Sequence, residues 1–127
     1  MIDSNPYSAE AAQRWPNQFE ASEQRLSKLN AQERQVLFDR GEQIAAELAQ
    51  RLRSGDSASD ASVQDLIAQH FDWVCNFWTP NATAYRGLGQ MYVTDSRFTA
   101  YYDGFATGLA AFLNLAMAQF ADTRLAD

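Results

Sequence analysis

The sequence predicts an all-α fold in a single domain. Apolar residues recur in several segments at steps of three, four and seven, which is the spacing of one buried helix face. Residues that favour helix starts, such as Asn30 and Asp95, precede some of these segments. No alternation of apolar and polar residues is long enough to indicate a β-strand. With 127 residues, 46% of them hydrophobic, the chain can bury roughly two-thirds of the surface that it exposes when unfolded.

Two short helices are expected before residue 30. Asn5 can accept hydrogen bonds from free backbone amides, and Pro6 is compatible with the first helical position. This first helix should continue to about Trp15, because Pro16 interrupts it. A second helix is expected over about residues 17–29.

The third helix should begin directly after Asn30. Glu33 stands three residues later, which is the spacing of a capping box. The following segment, residues 54–60, is rich in Ser, Gly and Asp and is predicted to be a flexible surface loop within the same domain. One apolar stripe runs along the helix at steps of seven, four and four, formed by Leu37, Ile44, Leu48 and Leu52.

The fourth helix is expected to start near Asp60 and to end before Pro80. It also carries three large aromatic residues, Trp73, Phe77 and Trp78, at positions i, i+4 and i+5. Its apolar face follows helical steps and is formed by Val63, Ile67, His70, Val74 and Phe77.

Three more helices are expected in the remainder of the chain. The fifth covers about residues 82–92. The sixth is capped by Asp95 and interrupted by Gly104. The last has the cleanest helical period, in Phe105, Leu109, Phe112, Leu113, Ala116, Met117 and Phe120.

The charge is negative and unevenly distributed. Residues 1–53 contain eight acids and seven bases, whereas residues 54–127 contain eight acids and three bases, for a formal net charge of −6. Gripping a phosphate backbone needs clustered Lys and Arg, so direct nucleic-acid binding by this chain is not expected. The acidic second half favours a neutral or cationic organic ligand, although a solvated acidic surface over an aromatic core explains the same charges equally well.

The sequence carries no sign of secretion or of a membrane span. The first 20 residues contain charges and no apolar run, and no stretch reaches the roughly 18 apolar residues of a transmembrane helix. Cys75 is the only cysteine, which excludes an internal disulfide and a cysteine-based zinc site. A cytoplasmic protein is therefore expected.

The signals for catalysis and for a metal are weak. His70 is the only histidine, which excludes a histidine-rich metal site. It can be a buried, hydrogen-bonded core residue, a ligand contact, or a catalytic residue or haem ligand, and the first is the commonest role on an apolar helix face. Cys75 lies about 140° around the same helix from His70, so it is predicted to be structural. No catalytic residue, metal or cofactor is assigned.

Several acids and glycines have both a functional and a structural interpretation. Asp95 and Asp103 could form a carboxylate pair, but Asp95 is better suited to cap a helix. Asp72 and Asp103 could meet an amide or ammonium group of a ligand, or serve only solubility. Gly87 and Gly89 lie in a helical stretch without a preceding strand, which excludes a phosphate-binding loop. They are predicted to permit close helix packing.

Aromatic residues carry the sharper functional signal. Tyr and Trp suit partly wet binding sites because each combines an apolar face with a polar tip. Packing in the core is the alternative for most of them, but a helical core of this size rarely needs so many. Some are therefore expected to line a cleft. The candidate ligand-binding residues are His70, Trp73, Phe77, Trp78, Tyr85, Tyr92, Tyr101, Tyr102 and Phe105.

One block of the sequence points to a known family. Residues 88–99 read Leu-Gly-Gln-Met-Tyr-Val-Thr-Asp-Ser-Arg-Phe-Thr, and residues 108–112 read Gly-Leu-Ala-Ala-Phe. Over about residues 6–121 the chain resembles the TipAS-type antibiotic-recognition domain, the carboxyl-terminal sensor of a subgroup of MerR-type transcription activators. Further matches are Glu10, Arg14, Trp15, His70 and Trp73.

The resemblance implies a fold, a ligand and a mechanism. The fold would be an atypical globin-like arrangement of helices without haem. The ligand would be a large cyclic or aromatic antibiotic, such as a thiopeptide, held in a hydrophobic cleft, and residues 1–30 would be mobile until it binds. The domain would then be the sensor of a drug-responsive activator. The alternative is a stand-alone resistance protein that sequesters antibiotic stoichiometrically.

Two departures from the family pattern refine these expectations. The best-known member captures thiopeptides through a cysteine just upstream of the Leu-Gly-x-Met-Tyr block, whereas the matching position here is near Pro80 and Cys75 lies elsewhere. Reversible binding is therefore expected. The 127 residues contain no winged-helix domain or coiled-coil linker, so DNA contact would come from another segment of a full regulator. A small enzyme that uses His70 with an acid is the third hypothesis.

Overall fold

Five α-helices make up most of residues 23–127, the part of the chain that the computed structural model describes. Residues 23–27 are helical as well, and this range contains no β-strand. The all-α prediction is therefore confirmed. The five helices are α1 (Ala31–Arg53), α2 (Ala61–Val74), α3 (Ala82–Thr94), α4 (Ser96–Asp103) and α5 (Leu109–Arg124).

Helix α5 lies at the centre of the packing. Its most extensive contact is with α3, and it also touches α1, α2 and α4. Burial of its apolar side chains provides the main stabilisation of such a bundle. The stripe predicted for α1 is buried only in its second half, at Ile44 and Leu48. The predicted period of α5 is confirmed, since its buried residues include Leu109, Phe112, Leu113, Ala116, Met117 and Phe120.

The predicted helix caps are confirmed at Asn30 and Asp95. The Asn30 side chain accepts from the Glu33 amide at 2.8 Å, and the Glu33 carboxylate accepts from the Asn30 amide at 2.9 Å, which completes a capping box. Asp95 accepts from the Arg97 amide at 3.0 Å. Asn81 caps α3 through the Ala84 amide in the same way.

Helix α2 ends earlier than the sequence pattern indicates. It stops at Val74, so placing Phe77 and Trp78 on this helix was wrong. The Phe77 amide bonds to the Val74 carbonyl at 2.8 Å, an i to i+3 bond that tightens the chain into a turn. Pro80 then requires extended backbone before it. Phe77 and Trp78 therefore lie in the turn between α2 and α3.

The ends of the later helices differ from the prediction in two respects. Helix α4 ends at Asp103, with Gly104 as its C-cap, which confirms the interruption there. Phe105 was expected on the last helix but lies before it, because Gly108 adopts a left-handed conformation with φ of 87° and α5 starts only at Leu109. Helix α3 continues two residues beyond the expected end, to Thr94.

Some predicted features lie outside the described residues. The helix expected over 6–15 and the first part of the one expected over 17–29 belong to residues 1–22, as do the family matches Glu10, Arg14 and Trp15. Within 54–60, the predicted flexible loop is crossed by local hydrogen bonds, such as the one from the Ser57 amide to the Asp60 carboxylate at 2.9 Å. Its flexibility stays a prediction.

The two glycines of α3 have different surroundings. A Cβ atom at Gly89 would lie 3.1 Å from Asn114 Oδ1 and 3.4 Å from Met117 Cβ, so this glycine allows α3 and α5 to pack closely. A Cβ atom at Gly87 would meet nothing within 4 Å. The packing role predicted for both glycines is confirmed for Gly89 and was wrong for Gly87, which faces open space.

This difference gives a paired prediction for stability. We expect Gly89→Leu to lower the free energy of unfolding by about 1–3 kcal/mol, because the side chain overpacks the contact with α5. Gly87→Leu should raise it by about 0.5–1 kcal/mol, because glycine is a poor helix former. Urea unfolding of the two variants measures both changes. Equal destabilisation by the two substitutions would contradict the assigned packing.

Candidate ligand-binding site

Eight of the nine candidate ligand-binding residues form one continuous series of ring contacts. The centroids of contacting rings are 4.5–6.2 Å apart, and Tyr85 and Tyr92 each contact His70. Trp78, the ninth, is half-buried and packs against the hydrophobic core. We call the eight rings the aromatic series: Phe77, Trp73, His70, Tyr85, Tyr92, Tyr102, Tyr101 and Phe105.

The middle of the aromatic series is buried. His70 Nδ1 lies 2.7 Å from the Tyr85 hydroxyl, and His70 Nε2 lies 3.4 Å from the Tyr92 hydroxyl. Tyr102 packs on Tyr92, with ring centroids 4.5 Å apart. His70 is therefore a buried, hydrogen-bonded core residue, the commonest of the roles considered for it. Tyr85 and Tyr92 form the back of the site rather than an open surface.

This buried centre is electrically neutral near pH 7. Burial lowers the pKa of His70 to about 4, because the interior disfavours the charged imidazolium. Burial likewise raises the pKa values of Tyr85, Tyr92 and Tyr102. A neutral imidazole has one N–H donor and one acceptor nitrogen, so its two tyrosine partners satisfy it completely. The site thus presents no fixed charge to a ligand from its centre.

Both ends of the aromatic series reach the surface. At one end, Phe77 contacts Trp73 and also stacks on Phe38 of α1, with centroids 6.5 Å apart. At the other end, Tyr101 is 46% exposed and Phe105 is half-buried. The sequence reasoning missed Phe38, although its position one residue off the apolar stripe of α1 was a signal.

Trp73 is held in place by α1. Its indole N–H donates to the Leu37 carbonyl at 2.8 Å. A Cβ atom at Gly41 would lie 2.5 Å from Trp73 Cζ2, so the indole can occupy this position only because residue 41 is a glycine. Gly41 is the second residue that sequence reasoning missed, since a glycine inside a helical pattern does not reveal its partner.

A small open pocket adjoins Trp73. Its volume is about 180 Å³, and it lies between α1 and the end of α2. Asp72, which the sequence analysis considered as a ligand contact or a solvated acid, stands at this pocket. The pocket is lined by Leu37, Arg40, Gln69, Asp72, Trp73 and Asn76.

The remaining candidate residues have structural positions. The Asp103 carboxylate accepts from the Ala110 amide at 3.0 Å at the start of α5, and Asp95 caps α4, so the two do not act as a carboxylate pair. Cys75 is half-buried, and both burial and Asp72 raise its pKa, which disfavours the reactive thiolate. Among residues 23–127, no three His, Cys, Asp or Glu side chains are grouped to hold a metal ion.

Comparison with known sequences identifies the family. The sequence profile of the TipAS antibiotic-recognition domain matches residues 7–120. The chain belongs to the TipAS family.

No helix within residues 23–127 is long and apolar enough to cross a membrane.

The relatives of this TipAS domain are longer transcription regulators. The chain is 31% identical over 104 residues to the HTH-type transcriptional activator mta of Bacillus subtilis, covering 81% of this chain and 40% of that protein. It is 35% identical over 83 residues to the regulator SkgA of Caulobacter vibrioides, covering 64% of this chain and 32% of that protein. It is 25% identical over 115 residues to TipA of Streptomyces lividans, covering 88% of this chain and 46% of that protein. The chain thus spans less than half the length of these relatives.

A solved structure has the same fold. TipAS from Streptomyces lividans, in complex with the thiopeptide antibiotic nosiheptide, superposes with a TM-score of 0.83. The match covers 95% of this chain and 87% of that one, at 23% sequence identity. The globin-like helical arrangement implied by the resemblance is consistent with this likeness.

The position of Trp73 predicts the effect of a methyl group at residue 41. We expect Gly41→Ala to displace the indole, to weaken its hydrogen bond to Leu37 and to lower the free energy of unfolding by about 1–3 kcal/mol. Tryptophan emission and urea unfolding measure these effects. Gly87→Ala is the control, because that glycine also lies within a helix but faces open space. An unchanged emission spectrum and stability in Gly41→Ala would contradict the contact.

The burial of neutral His70 predicts a dependence of stability on pH. The pKa of His70 is about 4 in the folded chain, against an ordinary value of 6.5, so the unfolded chain binds more protons between these values. The free energy of unfolding should therefore fall by about 2 kcal/mol from pH 7 to pH 5. Because His70 is the only histidine, His70→Gln should flatten this dependence. Urea unfolding at both pH values is the measurement, and an equal slope in the variant would rule out His70 as its source.

Proposed function

We propose that this TipAS domain is the ligand-sensing effector domain of a drug-responsive MerR-type transcription activator. Its ligand would be a large aromatic or cyclic antibiotic, similar to a thiopeptide. The observation that carries the proposal is the aromatic series itself, a continuous wall of rings with a neutral, buried centre and two accessible ends. The transcriptional role is supported by the relatives, which are named as transcription activators or regulators.

The accessible ends of the aromatic series are proposed as the main ligand contacts. Trp73 and Phe77 at one end, and Tyr101 and Phe105 at the other, offer apolar faces on which aromatic or heteroaromatic rings can pack. The buried members, His70, Tyr85, Tyr92 and Tyr102, would act by holding these faces in position. Trp78 would contribute from the turn between α2 and α3.

Binding is proposed to be reversible and non-catalytic. The thiol of Cys75 is protonated at neutral pH because burial and Asp72 raise its pKa, which argues against covalent capture through it. His70 has both ring nitrogens occupied by tyrosine hydroxyls, which leaves it no atom for acid–base work on a ligand. A regulator of transcription would act in the cytoplasm, where its DNA is located.

The signal would arise from a shift in population. A ligand that binds one conformation of the domain more tightly favours that conformation by the difference in its binding free energies. A ligand that contacts both ends of the aromatic series would connect α1 and α2 with α4. A separate DNA-binding domain in the full regulator would respond to this change.

Nosiheptide provides a direct test. We expect it to quench tryptophan fluorescence and to stabilise the chain by about 2.7 kcal/mol at 100 times its dissociation constant. Tyr101→Ala should weaken binding about tenfold, because it removes an exposed ring worth about 1.5 kcal/mol. Titration monitored by fluorescence, with thermal unfolding in parallel, measures both effects.

Leu115→Ala is the matched control for this test. Leu115 is an apolar residue of α5 that is 64% exposed and lies outside the aromatic series, so its removal should leave the affinity unchanged. Absence of quenching and stabilisation in the unmodified chain, or equal weakening by both variants, would argue against the proposed site. Mass spectrometry after incubation should show no adduct, and an adduct on Cys75 would overturn the proposal of reversible binding.

A further inference from the structure

The pocket beside Trp73 differs in character from the aromatic series. It is open and has a volume of about 180 Å³, whereas sites for whole drug-sized ligands occupy about 300–1,000 Å³. It therefore has room for one chemical group of a larger ligand. Because Trp73 lines this pocket and also belongs to the aromatic series, a ring packed on Trp73 can place a substituent directly in it.

The pocket offers both a hydrogen-bond donor and an acceptor of opposite charge. The Arg40 guanidinium bonds to Gln43 and Gln69, which uses two of its five N–H groups. The Asp72 carboxylate is exposed and accepts no hydrogen bond from any side chain within residues 23–127. The two charges offset each other, so the walls of the pocket have no net charge from this pair.

This arrangement discriminates between ligand groups by charge. A carboxylate in the pocket would be attracted by Arg40 but repelled by Asp72, and an ammonium group would be attracted by Asp72 but repelled by Arg40, so neither gains a net charge interaction from the pair. A neutral carboxamide avoids both repulsions, because its NH₂ can donate to Asp72 while its carbonyl accepts from Arg40. Asn76, whose side-chain NH₂ donates to the Asp72 and Trp73 carbonyls at 3.2 Å, leaves its own oxygen as a further acceptor.

We propose that this pocket is a subsite for a carboxamide group attached to an aromatic ring of the ligand. The inference rests on the proposed function and adds the chemical group that the site selects. The ring would pack on Trp73 and Phe77, and the amide would bridge Arg40 and Asp72. Specificity would thus come from α1 and α2 together, since each helix supplies one of the two charged residues.

Three probes with the same aryl-thiazole ring test the subsite. They carry a carboxamide, a carboxylate or an aminomethyl group at the same ring position, and their dissociation constants are measured by tryptophan quenching. We expect the carboxamide to bind about tenfold more tightly than either charged probe, because it can bond to both charged residues whereas each charged probe can pair with only one, and a hydrogen bond to a charged group contributes about 1.5–3 kcal/mol.

Two variants assign this selectivity to the pocket. Asp72→Asn should reduce the preference for carboxamide over carboxylate to about threefold or less, because the repulsion is removed and the new amide can donate. Arg40→Gln should likewise reduce the preference for the carboxamide over the aminomethyl probe to about threefold or less. Asp65→Asn is the control, because it removes the same charge from an exposed position of the same helix and should leave both preferences unchanged.

Binding of nosiheptide distinguishes a failure of the subsite proposal from a failure of the proposed function on which it rests. Equal or tighter binding of a charged probe, no binding of any probe, or equal effects of Asp72→Asn and Asp65→Asn would each overturn the subsite. If nosiheptide still quenches the unmodified chain in those cases, the proposed function stands without it. If nosiheptide fails to bind, the function itself is contradicted, whatever the probes show.

Discussion

The hydrogen bonds of buried His70 hold together the helices that carry the site. An unpaired polar nitrogen in the interior costs about 1–3 kcal/mol, so the imidazole can be buried only where both of its nitrogens find partners. Tyr85 and Tyr92 supply them from α3, which fixes α2 against α3. The contact of Tyr92 with Tyr102, at 4.5 Å between centroids, continues this attachment to α4. Three helices are thus joined around one neutral ring.

Helix α1 is attached through a different kind of contact. Trp73 donates to the Leu37 carbonyl and packs on Gly41, and Arg40 donates to the Gln69 side chain, so the first half of α1 is joined to α2 by a few local contacts. Most other residues of that half are exposed. A candidate site with a buried, hydrogen-bonded centre and more exposed ends suits a ligand-sensing domain, because segments with few buried contacts open more easily than a packed centre.

In the folded chain, most acids of the second half lie away from the pocket beside Trp73. Most acids of the second half serve local structure: Asp95 and Asp103 accept from helix amides, and Asp122 and Asp127 pair with Arg86. Only Asp72 stands at the pocket, opposite Arg40. The net charge of residues 54–127 therefore does not describe the charge at this pocket, which comes from one pair of residues on two helices.

By itself the sequence determined the helical class, the caps at Asn30 and Asp95, and the residues of the aromatic series, because these follow from periodicity and residue type within short segments. Only the tertiary structure decided which rings are buried and which are exposed. It also revealed Phe38, Arg40 and Gly41, which come to the site from α1, more than 25 positions before their partners on α2 and in the turn that follows it. Periodicity shows that a helix face is apolar, but the partner of that face depends on how the helices pack.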